Sequence, residues 1–169
     1  CETNTGADVL HCGDCVTVCD DDPPNSAPAC NAGVCEHTCD GGWSDCDGDL
    51  NLATSTGCET DSNTNMAHCG GCGNDCNASA PANMVATGCS LGVCQYTCAA
   101  GFADCNASQA DGCEIDLNND AANCGGCGQP CSTANGSPTC ALGVCSMTCN
   151  LGYDDCSPNE NAVRDGCET

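Results

Sequence analysis

The stretch NCGGCGQPC, Asn123 to Cys131, with the GCE that precedes it at Gly112 to Glu114, decides how the whole chain is read. The same frame stands at Gly57 to Cys76 as GCETDSNTNMAHCGGCGNDC, and at Cys1 to Cys19 as CET running into HCGDCVTVC. From Cys1, Cys58 and Cys113 the cysteines follow as C-x10-C-x2-C-x3-C, a variable gap, then C-x4-C-x3-C-x6-C. The 25 cysteines are three sets of eight plus Cys167, which opens a fourth copy. Self-similarity at a period of 54 to 57 residues is the mark of a repeat array. The predicted units are repeat 1 over 1–57, repeat 2 over 58–112, repeat 3 over 113–166, and the start of a fourth at 167–169.

Units this small cannot bury enough apolar surface to offset chain entropy, least of all with four aromatics among 169 residues. Crosslinks must do so. Cysteine at this density and spacing reads as a disulfide scaffold made in an oxidising compartment, so the chain is expected to be secreted, extracellular or on a cell surface. The predicted fold is a small disulfide-rich repeat array of mostly irregular loops with short β-hairpins and little helix. Eight cysteines per unit leave 105 possible pairings, which spacing does not choose between.

Within each repeat the glycine-dense knuckle (CGDC, CGGC, CGGC) supplies a tight bend. The gap after the fourth cysteine (DDDPPNSAPA, NASAPANMVATG, STANGSPT) reads as a surface loop. The segments CNAGVCEHTC, CSLGVCQYTC and CALGVCSMTC carry a hairpin signal. Alternation places Cys35, His37 and Cys39 on one face, with Val34, Glu36 and Thr38 on the other. Trp43, Phe102 and Tyr153 share one repeat position and are expected to cover a disulfide.

Charge excludes several partners. With 24 acidic side chains against Arg164 alone, the net charge is -23. Nucleic acid binding needs clustered Lys and Arg, and an anionic membrane surface repels such a chain. No run is apolar enough to insert into a membrane. Divalent cations are the natural counter-charge. Asp45, Asp47, Asp49 and Asn51 fall at alternate positions, as do Asp104, Asn106 and Ser108, and Asp155, Ser157, Asn159 and Asn161. Oxygens at relative positions 1, 3 and 5 open a calcium loop. The glycine at position 6 and the glutamate at position 12 are missing, but Glu59, Glu114 and Glu168, with Asp111 and Asp165, lie close enough in sequence to complete a candidate Ca2+ site. The competing reading is solvated acidic turns.

The C-x2-C knuckle also looks like a zinc-ribbon knuckle, but a tetrahedral thiolate site needs a second such pair, and the other spacings are x3, x4, x3 and x6. Asn77, Asn106 and Asn135 stand in N-x-S triplets and are candidate glycosylation sites. No catalytic constellation is found. His11, His37 and His68 hold different or only partly shared repeat positions, and Asn123 takes the place of a histidine in the third repeat.

The pattern GCExDLxxDxxNCGGCGxxC followed by CxxGVCxxTCxxGYxDC resembles the tandem cysteine-rich repeats of predicted secreted and surface proteins of bacteria, many of them long and acidic. The resemblance spans the whole chain and implies location and architecture. Repeat 1 departs from it at Asn4, where the other copies have Asp61 and Asp116, and at Asp14, which breaks the double glycine. The chain starts on the first cysteine of one repeat and stops just beyond that of another, so a longer array is expected.

The functional expectation is a non-enzymatic extracellular structural protein, cation-stabilised, whose partner is itself, through neighbouring repeats or chains in a fibre, stalk or filament, with glycans as possible decoration. The alternatives are a calcium-dependent adhesion or ligand-binding module and a thiolate metal-binding protein. Cys167 pairs either backward into repeat 3 or beyond Thr169 on this reading.

Overall fold

The structure is a computed structural model that describes residues 4–19, 23–52, 55–156 and 166–168. Among them there is no helix, only short antiparallel strand pairs and eleven disulfides. Among the described residues no helix is long and apolar enough to cross a membrane.

Three hairpins recur: β1 (Ser26–Asn31) with β2 (Val34–Cys39), β5 (Met84–Ser90) with β6 (Val93–Cys98), and β9 (Gly136–Ala141) with β10 (Val144–Cys149). Two smaller pairs join β3 (Trp43–Ser44) to β4 (Thr60–Asp61) and β7 (Phe102–Ala103) to β8 (Ile115–Asp116). The chain divides into two compact units, 1–79 with 86–95, and 80–85 with 96–169. Between described residues the first holds β1–β2, β3–β4 and six disulfides. The second holds β7–β8, β9–β10 and five.

Each hairpin turns on two residues with positive φ: Ala32 (50°) and Gly33 (83°), Leu91 (51°) and Gly92 (75°), Leu142 (52°) and Gly143 (76°). Such turns match the twist of the strands, and asparagine suits their first position better than alanine or leucine. Leu91 is 84 % exposed, so its side chain repays little of that strain. Leu91→Asn is therefore expected to stabilise the oxidised protein by about 0.5–1 kcal/mol in guanidinium unfolding. An unchanged or lowered midpoint would refute the strain argument.

Past the turn β6 and β10 alternate as their sequences predict, whereas β2 departs from the predicted faces, with Cys35 exposed and Glu36 half-buried. In β10, Cys145, Met147 and Cys149 face inward while Val144, Ser146 and Thr148 are exposed. The C-x3-C spacing thereby puts two sulfurs on one face, roughly 13 Å apart along the strand. One bonds back to the fourth cysteine of its own repeat, Cys145 to Cys131, and the other bonds forward to the first of the next, Cys149 to Cys167. In β2 the same positions give Cys35–Cys19 and Cys39–Cys58.

The core is cystine. Among the described residues every buried apolar side chain except Leu50 is a cysteine, and Cys58, Cys69, Cys76, Cys113 and Cys124 are fully enclosed. Trp43, Phe102 and Tyr153 are only half-buried. The segments before each knuckle are held by side chains that accept N–H bonds two residues ahead. Asp61 accepts from Asn63 and Asp116 from Asn118, both at 2.9 Å. The Thr64 hydroxyl and the Asn63 N–H hold the Asp61 carboxyl below its ordinary value, and the Asn119 amide and Asn118 N–H do so for Asp116. Asn4 accepts from Gly6 at 3.1 Å, so the departure in repeat 1 keeps the same turn.

Candidate functional site

Chemistry in this chain gathers where one sequence repeat meets the next. Two disulfides cross each internal boundary in the same register: Cys39–Cys58 with Cys46–Cys72, and Cys98–Cys113 with Cys105–Cys127. Two others close each repeat on itself, as in Cys12–Cys30 with Cys19–Cys35, Cys69–Cys89 with Cys76–Cys94, and Cys124–Cys140 with Cys131–Cys145. Each boundary is also clasped by the backbone. An asparagine in the left-handed region, Asn25, Asn83 or Asn135, donates its amide to the carbonyl of the next repeat's first cysteine at 2.9–3.0 Å. The residue before that asparagine accepts the same cysteine's N–H at 2.9 Å. The clasp leaves no room for a side chain beside it, since a Cβ on Gly112 would lie 2.2 Å from the Ala82 carbonyl oxygen.

Cys167 follows the same rule and bonds backward to Cys149. The unpaired cysteine among the described residues is instead Cys156, which is exposed. Spacing alone points to Cys167 as the odd one; only the crossing pattern reveals that the eighth cysteine of a repeat needs the next repeat's knuckle.

The acidic loops lie against these crossings. At the first boundary one oxygen each of Asp45 and Asp47 from repeat 1 and Glu59 from repeat 2 lie within 4.8 Å of one another. Oxygens that close can share one Ca2+ at ~2.4 Å. Desolvation opposes the charge on Asp45, but the N–H groups of Leu50 and Gly48, the Asp47 side chain and the Asp49 N–H together outweigh it and hold the carboxyl below its ordinary value. Glu59 is also held low, by its own N–H and that of Cys46. Asp47 is pushed up, first by desolvation and then by Asp45, Asp49 and Glu59, against the N–H of Asp49. A site that resists a third negative charge is one that a cation would relieve.

Not every predicted ligand joins the group. Asp49 turns away to accept from Thr56 N–H at 3.0 Å and from the Ser55 hydroxyl at 3.3 Å. Asn51 accepts the His37 N–H at 2.7 Å. In repeat 2 Asp104 and Asn106 both accept from Ser108 N–H, at 3.1 and 2.7 Å. The Asn106 amide donates to Asp111 at 3.0 Å, which holds the Asp111 carboxyl low with help from Ser108. Glu114 accepts the Cys105 N–H at 3.1 Å. Asparagine and serine in place of Asp47 and Asp49 remove two charges there, and among the described residues only the first boundary brings three carboxylates together. In repeat 3 Glu168 accepts the Cys156 N–H at 2.9 Å beside Asp155; Ser157, Asn159, Asn161 and Asp165 lie outside the described residues.

Three cysteine triplets, Cys12/Cys19/Cys35, Cys69/Cys76/Cys94 and Cys124/Cys131/Cys145, have sulfurs as close as the carboxylates at the first boundary. All nine stand in disulfides, so they offer metal-binding thiolates only after reduction. The histidines have different partners: His11 Nδ1 lies 3.0 Å from the Asp8 carboxylate, while His68 Nδ1 accepts the Gly73 N–H at 3.0 Å, as Asn123 accepts that of Gly128 at 2.8 Å from the same repeat position. Of the three sequon asparagines, Asn135 uses its amide nitrogen in the clasp and Asn106 on Asp111, whereas Asn77 is exposed and reaches only Asp75 at 3.3 Å. No family model matches the chain, and neither a curated protein nor a solved structure does.

Proposed function

We propose that this chain is a structural element of an extracellular fibre or stalk, a row of modules laced to one another rather than strung on linkers. The crossing of both internal boundaries by two disulfides in one register carries this reading. Crosslinks of ~2–4 kcal/mol each resist pulling and proteolysis where a linker would not. Disulfides at this density fit an oxidising compartment. Exposed apolar side chains at the hairpin tips, Leu91 and Val93, Leu142 and Val144, offer repeated contacts to another copy. The likeness to bacterial surface repeats points the same way, and a scaffold of this kind has no need of catalysis. A glycan at Asn77 would sit on an open loop.

A divalent cation belongs to the same proposal. Asp45, Asp47 and Glu59 would hold calcium at the first boundary, next to Cys46–Cys72, and lower the self-repulsion of a chain of charge -23. Its occurrence at only one boundary among the described residues also favours a second reading, a calcium-dependent adhesion module that recognises its ligand there. Calorimetry is expected to give a Kd on the order of 10⁻⁴–10⁻³ M for Ca2+, as in open extracellular sites, and about tenfold weaker binding for Asp47→Asn. Because Asp47 takes its proton above the ordinary Asp value, affinity falls earlier on acidification than it would for an unperturbed carboxylate. Electron microscopy of native material with and without chelator decides between the two. Filaments or stalks support the structural reading. Dispersed chains that bind a surface ligand only with calcium support adhesion.

A further inference from the structure

The three repeats allow each cysteine position to be compared with itself. The eighth cysteine bonds the middle cysteine of the following knuckle twice, as Cys46–Cys72 with Cα atoms 5.3 Å apart and as Cys105–Cys127 at 5.6 Å. Cys156 holds that position in repeat 3, exposed and without a disulfide. Its backbone is set as at the two bonded sites. Its N–H donates to Glu168 at 2.9 Å, as Cys46 donates to Glu59 at 2.9 Å and Cys105 to Glu114 at 3.1 Å. The equivalents therefore define the chemistry of the missing partner: the middle sulfur of a C-x2-C-x3-C knuckle from another repeat of this type.

We propose that Cys156 is the site at which a further repeat is joined covalently through its knuckle. The inference rests on the structural reading above and specifies the joint. Within these 169 residues Cys72 and Cys127 already hold an eighth cysteine, Cys46 and Cys105, whereas no eighth cysteine is bonded to Cys15, which is exposed and stands in a different disulfide, so Cys15 is the knuckle sulfur that a second copy presents. A repeat carried elsewhere in a longer chain presents the same sulfur. The step is thiol–disulfide exchange. Cys156 loses its proton, the thiolate attacks the knuckle sulfur, that sulfur's existing S–S bond breaks, and the displaced sulfur leaves as a thiolate that takes up the proton. One S–S bond forms and one breaks, with no oxidant consumed. Two surfaces this acidic repel, so joining speeds up with ionic strength.

Native material is quenched with N-ethylmaleimide, digested without reduction and mapped by mass spectrometry. The expected product is a crosslinked peptide joining Cys156 to a knuckle. A peptide containing Cys15 identifies a second copy as the source, and a knuckle peptide foreign to these 169 residues identifies a further repeat. Cys156 recovered as the maleimide adduct, or bonded to a small thiol or a non-knuckle cysteine, overturns the proposal. In the second-copy case Cys156→Ser, a change at an exposed unpaired side chain, loses the covalent ladder on a non-reducing gel; a ladder that persists places the joint elsewhere. Filaments with Cys156 unbonded would keep the structural reading and sink the joint, whereas a Cys156–knuckle bond without filaments would do the reverse.

Discussion

Reduction of the disulfides in denaturant-free buffer is expected to abolish the fold at 25 °C, with loss of far-UV strand signal and of amide NMR dispersion. The core explains why. Its buried apolar side chains are cysteines, with Leu50 the one exception among the described residues. A reduced chain keeps the ordering cost of ~1–2 kcal/mol per backbone residue and loses what offsets it. The eleven bridges between described residues, at ~2–4 kcal/mol each, exceed even at the low end the roughly 5–15 kcal/mol by which an ordinary domain is stable. The sheets cannot stand in, because each is two-stranded, and isolated hairpins are marginal in water. A dispersed spectrum that survives reduction would show that this account of the core is wrong. Zinc that restores dispersion to the reduced chain would favour the thiolate reading, with the cysteine triplets as its ligands.

Gly70→Ala is expected to cost at least ~3 kcal/mol in guanidinium unfolding of the oxidised protein, whereas Gly73→Ala, three residues away, costs only about 1 kcal/mol. Both glycines have φ near +77°, at 77° and 76°, so both substitutions carry the left-handed penalty of an L-residue. They differ in surroundings. A Cβ on Gly70 would lie 2.5 Å from the Gly92 carbonyl oxygen, while one on Gly73 meets nothing within 4 Å. Gly70 cannot retreat, since its N–H is bonded to the Ser62 carbonyl at 2.8 Å and its neighbour Cys69 is tied to Cys89. Gly125 against Gly143 and Gly13 against Gly33 repeat the contact, each at 2.6 Å. Equal costs for the two variants would show that backbone conformation, and not the seating of hairpin on knuckle, sets the requirement.

That contact shows how far local pattern reaches. The knuckle's glycines are legible as a bend, and the hairpin's as a turn. That one exists to receive the other is not, because the two lie 22 residues apart at Gly70 and Gly92. The candidate cation site is similarly half legible. Alternating acids mark the loop, but Asp49 and Asn51 are taken by Thr56 and His37 N–H groups, and Glu59 arrives from beyond the boundary. Local N–H donors compete for carboxylates, and spacing does not tell which will win.

By itself the amino-acid sequence determined that this is a disulfide-dependent array in a fixed register, with a hairpin after each knuckle, since period, composition and alternation are local or additive properties. Tertiary structure alone decided which sulfurs meet. Pairing depends on the direction in which each strand face and each clasp carries its cysteine. That direction sends Cys39 and Cys46 forward into the next repeat, turns Cys167 back to Cys149, and leaves Cys156 facing out.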